Sequence, residues 1–186
     1  MLHVLTTVVV AIDSILLITM KKLQITSFVK ENLFNGTHFV MMHLESIPPH
    51  LGLIIDGDFY SISTRKKAIS IPLSKVLKRI KRSKISTIYV QIENIGNKKF
   101  LSQSLENMPL VSVEGTNCID PIIQFAEHNG YYIENQKHIG DFLEKMNVIN
   151  TMSSFADEYV TNGFYQIPSY SDNEIKKIIL RNLSKE

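Results

Sequence analysis

Tryptophan is absent from the 186 residues, and cysteine occurs once, at Cys118. A single cysteine excludes an internal disulfide framework and any multi-cysteine metal site. It also makes a reducing compartment, the cytoplasm, the default expectation. An excess of charge of one sign is missing too. Against 18 Asp and Glu stand 20 Lys and Arg, a net charge of +2, which gives no reason to expect a nucleic-acid partner. No linker rich in Pro, Gly or Ser interrupts the chain, and no repeat or low-complexity tract is present. No His or carboxylate spacing reads as a metal site, and no cofactor is expected. What is there is ordinary globular composition, 44% apolar and 20% charged, in a chain long enough for one core.

The first twenty residues stand apart. Val4 to Met20 is nearly continuously apolar, broken by Asp13 and Ser14 and followed by Lys21 and Lys22. Such a run is at the short limit for a membrane span, and a central Asp13 is costly there. A signal peptide lacks its basic start and small-residue cleavage site. Three readings stay open for residues 1–20: a membrane anchor, a buried helix or strand, or an upstream extension of a chain that starts at Met20. Membrane contact is expected only through this leader.

Beyond it, apolar residues at 25, 28, 29 and 33 predict a helix over 25–33, ended by Asn35-Gly36. Strands are predicted over 37–44, 50–55 and 59–63, with a Pro48-Pro49 turn before the second. Asp56-Gly57 makes the second and third a hairpin. A short extended stretch, 68–71, leads to an amphipathic helix over 72–82. That helix and its end carry six Lys or Arg between Lys75 and Lys84. These charges lie opposite the apolar stripe with no aromatics among them, so they read as a solvated face rather than a phosphate or lipid patch. A strand over 85–92, a helix over 100–107, a short strand over 110–113 and a helix from Cys118 to His128 follow. The tail reads as helices over 138–147, 150–160 and 172–183. The expected fold is α+β, with a core over 21–130 and a helical C-terminal extension over 131–186 packed on it.

Cys118 lies in Gly115-Thr116-Asn117-Cys118-Ile119-Asp120-Pro121. Proline is tolerated in a first helical turn, so a helix starting near Cys118 places the sulfur where unpaired N–H groups gather. These favour a thiolate and can hold an oxyanion, with the amides around Asn117 and Ile119 as candidate donors. The partner candidate is His50, opening an apolar strand after the proline turn, with Gly52 on the same face leaving room for close approach. If Asp56-Gly57 is a two-residue turn, Ile55 pairs with Asp58, Gly52 faces Ser61 and His50 faces Ser63. Either serine hydroxyl is then placed to fix the imidazole tautomer. His38 and His43 face opposite sides of their strand, and His128 sits at a helix C-terminus, where its charge is favourable.

The run His50-Leu51-Gly52-Leu53-Ile54-Ile55-Asp56-Gly57-Asp58-Phe59-Tyr60-Ser61-Ile62, followed by Ile69-Ser70-Ile71-Pro72-Leu73-Ser74 and later by Asn117-Cys118-Ile119, resembles circularly permuted, NlpC-type papain-like proteins. That group includes the YiiX-like and lecithin retinol acyltransferase-like families. The resemblance covers about residues 36–128. It implies an antiparallel sheet packed on a Cys-bearing helix, and a thiol-dependent hydrolase or acyltransferase acting on an amide or ester, such as a cysteine peptidase or amidase. Cys118 would be its nucleophile and His50 its base, with a peptide, amide or acyl substrate. The chain departs from the group in carrying Gly36-Thr37 where a Gly-Asp pair is usual, and Ser61 in the place of the third polar residue. The rival readings are a catalytically idle papain-like module that binds protein through its groove and tail, and a membrane-associated protein held by its leader.

Overall fold

The computed structural model describes residues 22–28, 34–93, 96–132 and 138–184. The leader, residues 1–20, lies outside them. Ten strands and five helices follow in the order β1 (Lys22–Gln24), β2 (Ser27–Phe28), β3 (Thr37–Met42), β4 (His50–Ile55), β5 (Asp58–Ile62), β6 (Lys67–Pro72), α1 (Leu73–Ser83), β7 (Thr87–Ile92), α2 (Lys98–Asn107), α3 (Asp120–His128), α4 (Ile139–Lys145), β8 (Val148–Ser154), β9 (Val160–Thr161), β10 (Phe164–Gln166) and α5 (Asp172–Leu183). The α+β class is as the sequence implies.

Seven strands form one sheet in the order β2-β8-β7-β3-β4-β5-β6. Only β2 and β8 run parallel; the other neighbours are antiparallel. Both faces are covered. Phe39, Met41, Leu51, Leu53, Ile55, Ile88 and Val90 meet α2, α3, α4 and α5 through residues such as Leu105, Phe125, Phe142 and Ile179. Val40, Met42, Ile54, Phe59, Tyr89 and Met152 meet α1 through Leu73 and Ile80. A strand buried on both faces has no polar side to show, which is why all six residues of β3 are buried and its sequence does not alternate.

Three expectations change. The predicted helix over 25–33 is extended at Ser27–Phe28, with residues 29–33 outside the described set. The predicted helix over 150–160 is strand β8, a 3-10 turn at Asp157–Tyr159 and strand β9. Apolar residues at 148, 149, 152, 155, 156, 159 and 160 imitate a helical stripe. The buried residues are instead Thr151, Met152 and Ser153, and Phe155 is exposed. Pairing along β7 overrides the local pattern. The tail is therefore no separate helical extension, since β8 lies between β2 and β7, and β10 pairs with β1. Residues 110–113 form no strand; the Val111 amide donates to the Ser63 carbonyl at 3.2 Å.

Gly52 is required by packing. A Cβ there would stand 2.6 Å from the Phe59 ring and 2.9 Å from the Tyr60 carbonyl oxygen. Gly52→Ala is expected to destabilise the fold by about 1–3 kcal/mol, read as a lower urea midpoint at unchanged slope; an unchanged midpoint would show that β4 and β5 are not this close.

His38 is fully buried beside Phe34, at a ring separation of 5.2 Å, with both ring nitrogens lacking a hydrogen-bond partner. Burial lowers its pKa to about 4, and the Gly36 carbonyl offsets this only in part. The unfolded chain therefore takes up this proton first, near pH 6.5, and the folded protein only near pH 4. Stability is full above pH 6.5, falls through that window and is lower by up to about 3 kcal/mol below it. Denaturant titrations between pH 7 and 4 should show this slope, and His38→Leu should flatten it.

Candidate active site

The hairpin register is as the turn dictates, but only over part of its length. Ile55 pairs with Asp58, Ile54 with Phe59 and Leu53 with Tyr60. The ladder then stops. A bulge between Phe59 and Ser61 turns β5 toward β6, where Ser61 pairs with Ala68. The expected pairings of Gly52 with Ser61 and of His50 with Ser63 do not form. The Ser63 hydroxyl donates to the Lys66 carbonyl at 2.9 Å and accepts from the Arg65 and Lys66 amides, so it serves its own turn. Among the described residues, neither serine is hydrogen-bonded to His50.

In a two-residue hairpin the amides of Ile55, Leu53 and Leu51 all point toward the partner strand. With β5 gone, the Leu51 amide is left on an open edge. Cys118 lies near it: the Leu51 amide acts on the thiol, drawing its pKa down against burial. A strand amide points along the plane of its sheet, so Cys118 lies beside the open edge of β4 and packs on the α3 side. Leu51 directly follows His50 in the chain.

Cys118 does not begin a helix. It lies in the turn before α3, whose N-cap is Ile119, with Pro121 in the first helical turn as the sequence suggests. The turn is built from its own side chains. Asn117 Oδ1 accepts the Cys118 amide at 2.6 Å, and Asp120 Oδ2 accepts the Asn117 amide at 2.7 Å. The amides of Asn117 and Cys118 are thus already engaged, and Ile119 is a buried core residue. The expectation that this turn offers free oxyanion donors is met by neither amide.

His50 stands opposite Met42 and shares strand parity with Gly52 and Ile54, so its side chain leaves β4 toward the α1 face. Leu51 and Cys118 pack with the core of the other face. Among the described residues, neither side chain is hydrogen-bonded to the other. The two side chains lie on different sides of β4, and neither contributes to the electrostatics of the other.

Their electrostatics agree with a neutral resting state. Burial pushes the Cys118 thiol up to about 11, the Leu51 amide opposes this, and Asp120 adds to it. Burial lowers His50 to about 4, and the nearby His43, Arg79 and Lys66 push the same way. At pH 7 only about one thiol in ten thousand is then ionised. Both residues keep partial solvent access.

A second polar group was not legible as a site. His43, just past β3, has φ 60° and brings its Nδ1 within 2.9 Å of Glu45 Oε1. Ser86 donates to Glu45 Oε2 at 2.7 Å and accepts the Leu44 amide at 2.9 Å. Burial works to raise the Glu45 pKa, but hydrogen bonds from Ser86, its own amide and His43 outweigh it and hold the carboxyl low. The only sequence signal is the spacing His43-x-Glu45 at a strand end. His128 stacks on Phe100 at 3.7 Å, at the C-terminus of α3 as expected.

Among the described residues, no helix is long and apolar enough to cross a membrane, and no group of three His, Cys, Asp or Glu is placed to hold a metal ion. No family model, no curated protein and no solved structure matches the chain.

Proposed function

We propose that the protein is a thiol-dependent hydrolase or acyltransferase of papain-like type, with Cys118 as nucleophile and His50 as base. One observation carries this reading: the chain's sole sulfur feels the amide of Leu51, the residue that follows His50. That contact exists because β5 leaves β4 three residues short of the strand's start. Catalysis here requires the His50 imidazole to reach across that open edge to the sulfur on the other face.

The chemistry begins from neutral thiol and neutral imidazole. His50 takes the thiol proton as the sulfur attacks a carbonyl, and the Leu51 amide stabilises the sulfur while its charge is exposed. The imidazolium then protonates the leaving amine or alcohol. Water or an acceptor, deprotonated by the same imidazole, cleaves the thioester. Positive neighbours keep imidazolium short-lived, so proton transfer and attack run together rather than through a standing ion pair.

A second reading, a catalytically idle papain-like binding module, is favoured by the opposite strand parity of His50 and by the burial of both groups. An activated ester separates the two. With p-nitrophenyl acetate at pH 7, the hydrolase reading expects one acetyl group on Cys118, seen by mass spectrometry, and steady release of nitrophenol. Cys118→Ser should abolish both. His50→Ala should slow acylation by about 10²–10⁴-fold. If labelling is insensitive to His50 and rises only as pH approaches 11, the cysteine is an inert core thiol and the binding reading holds.

A further inference from the structure

A cleft of about 640 Å³ lies on the α1 side of the sheet, at the end of β3. That is within the size of small-ligand sites, roughly 300–1,000 Å³. Its walls carry opposite charge. Arg79 and Lys84, from the end of α1, stand on one side. Asp157 and Glu158, from the 3-10 turn, stand on the other. Among the described residues these four form no ion pair with one another. Opposite charges that face a common space without meeting leave both signs available to a ligand.

The floor is preset. An ionised carboxylate only accepts hydrogen bonds, so Glu45 fixes the proton of His43 on Nδ1 and takes the hydroxyl proton of Ser86. The His43 Nε2 is left with a lone pair, in an orientation fixed by its carboxylate. Phe155, 44% exposed, adds an apolar wall.

Backbone strain gathers at the same place. Among the described non-glycine residues, six have positive φ, and three of them, His43 at 60°, Lys84 at 47° and Phe155 at 51°, line this cleft. Bulky residues hold that conformation at a cost of order 1–3 kcal/mol, and such strain clusters at ligand clamps. All three residues carry groups a ligand would touch.

We propose that this cleft binds a short peptide with both ends free, its carboxylate on Arg79 and Lys84 and its ammonium group on Asp157 and Glu158. The imidazole Nε2 of His43 accepts a backbone amide of the peptide, and Phe155 packs on an apolar side chain. A lone anion would use one wall and leave the other unmatched; a zwitterion with an apolar middle matches both. The site stands whether or not Cys118 is a nucleophile. If it is one, the cleft is where a peptide substrate or product is held, beside His50 through its neighbour His43.

Isothermal titration with the tripeptide Gly-Phe-Gly tests this, run on the wild type and on Cys118→Ser so that turnover plays no part. Saturable binding, alike in both proteins, is expected. N-acetylation or C-amidation of the peptide should each weaken binding at least tenfold. The acetyl penalty should vanish in Asp157→Asn with Glu158→Gln, and the amide penalty in Arg79→Ala with Lys84→Ala. The blocked peptides on wild-type protein decide the matter without relying on any variant's folding. Absence of saturation at millimolar peptide, indifference to end-blocking, or binding of inorganic phosphate in place of the peptide would each overturn the proposal.

Discussion

The site depends on a single unpaired strand amide. A hairpin that kept its ladder to the end would give the Leu51 N–H to β5. The bulge in β5 withdraws that partner, and Cys118 lies close enough for the freed amide to lower its thiol pKa. The turn Asn117–Asp120 holds the cysteine there by two short side-chain hydrogen bonds. Position, not charge, is what the fold supplies: burial keeps both thiol and imidazole neutral. A reaction here must therefore be driven by concerted proton transfer, with the preformed thiolate of a helix terminus playing no part.

The same sheet has a second consequence at the end of β3. There the chain turns through a left-handed residue, His43, and the hydroxyl of Ser86 ties the turn to the chain just before β7 through Glu45. The cleft that results shares the α1 face with His50. Two polar features thus open along one side of β3 and β4, one at the β4–β5 split and one at the β3 end.

Much of this was readable from residue order. Asp56-Gly57 set the hairpin register, and Asp58–Tyr60 pair where that turn puts them. The basic helix, the β-branched strand β7 and the capped helix α5, with Ser171 and Glu174 closing its first turn, also follow from local chemistry. The failures share a cause. Strand β8 imitates a helical period and becomes extended only because β7 offers a partner. Ser61 and Ser63 lose their expected places to a bulge that nothing in Phe59-Tyr60-Ser61 announces. The His43–Glu45–Ser86 group depends on Ser86, 41 positions from Glu45, a closeness that only the β3–β7 pairing creates.

The central claim is that the His50 ring can reach the Cys118 sulfur across the open edge of β4. Ring-nitrogen shifts of ¹⁵N-histidine protein, recorded before and after S-methylthiolation of Cys118, measure that directly. The His50 resonances should move while those of His38 and His128 stay fixed. A His50 ring indifferent to the modified sulfur would place the two groups on separate faces and contradict the account.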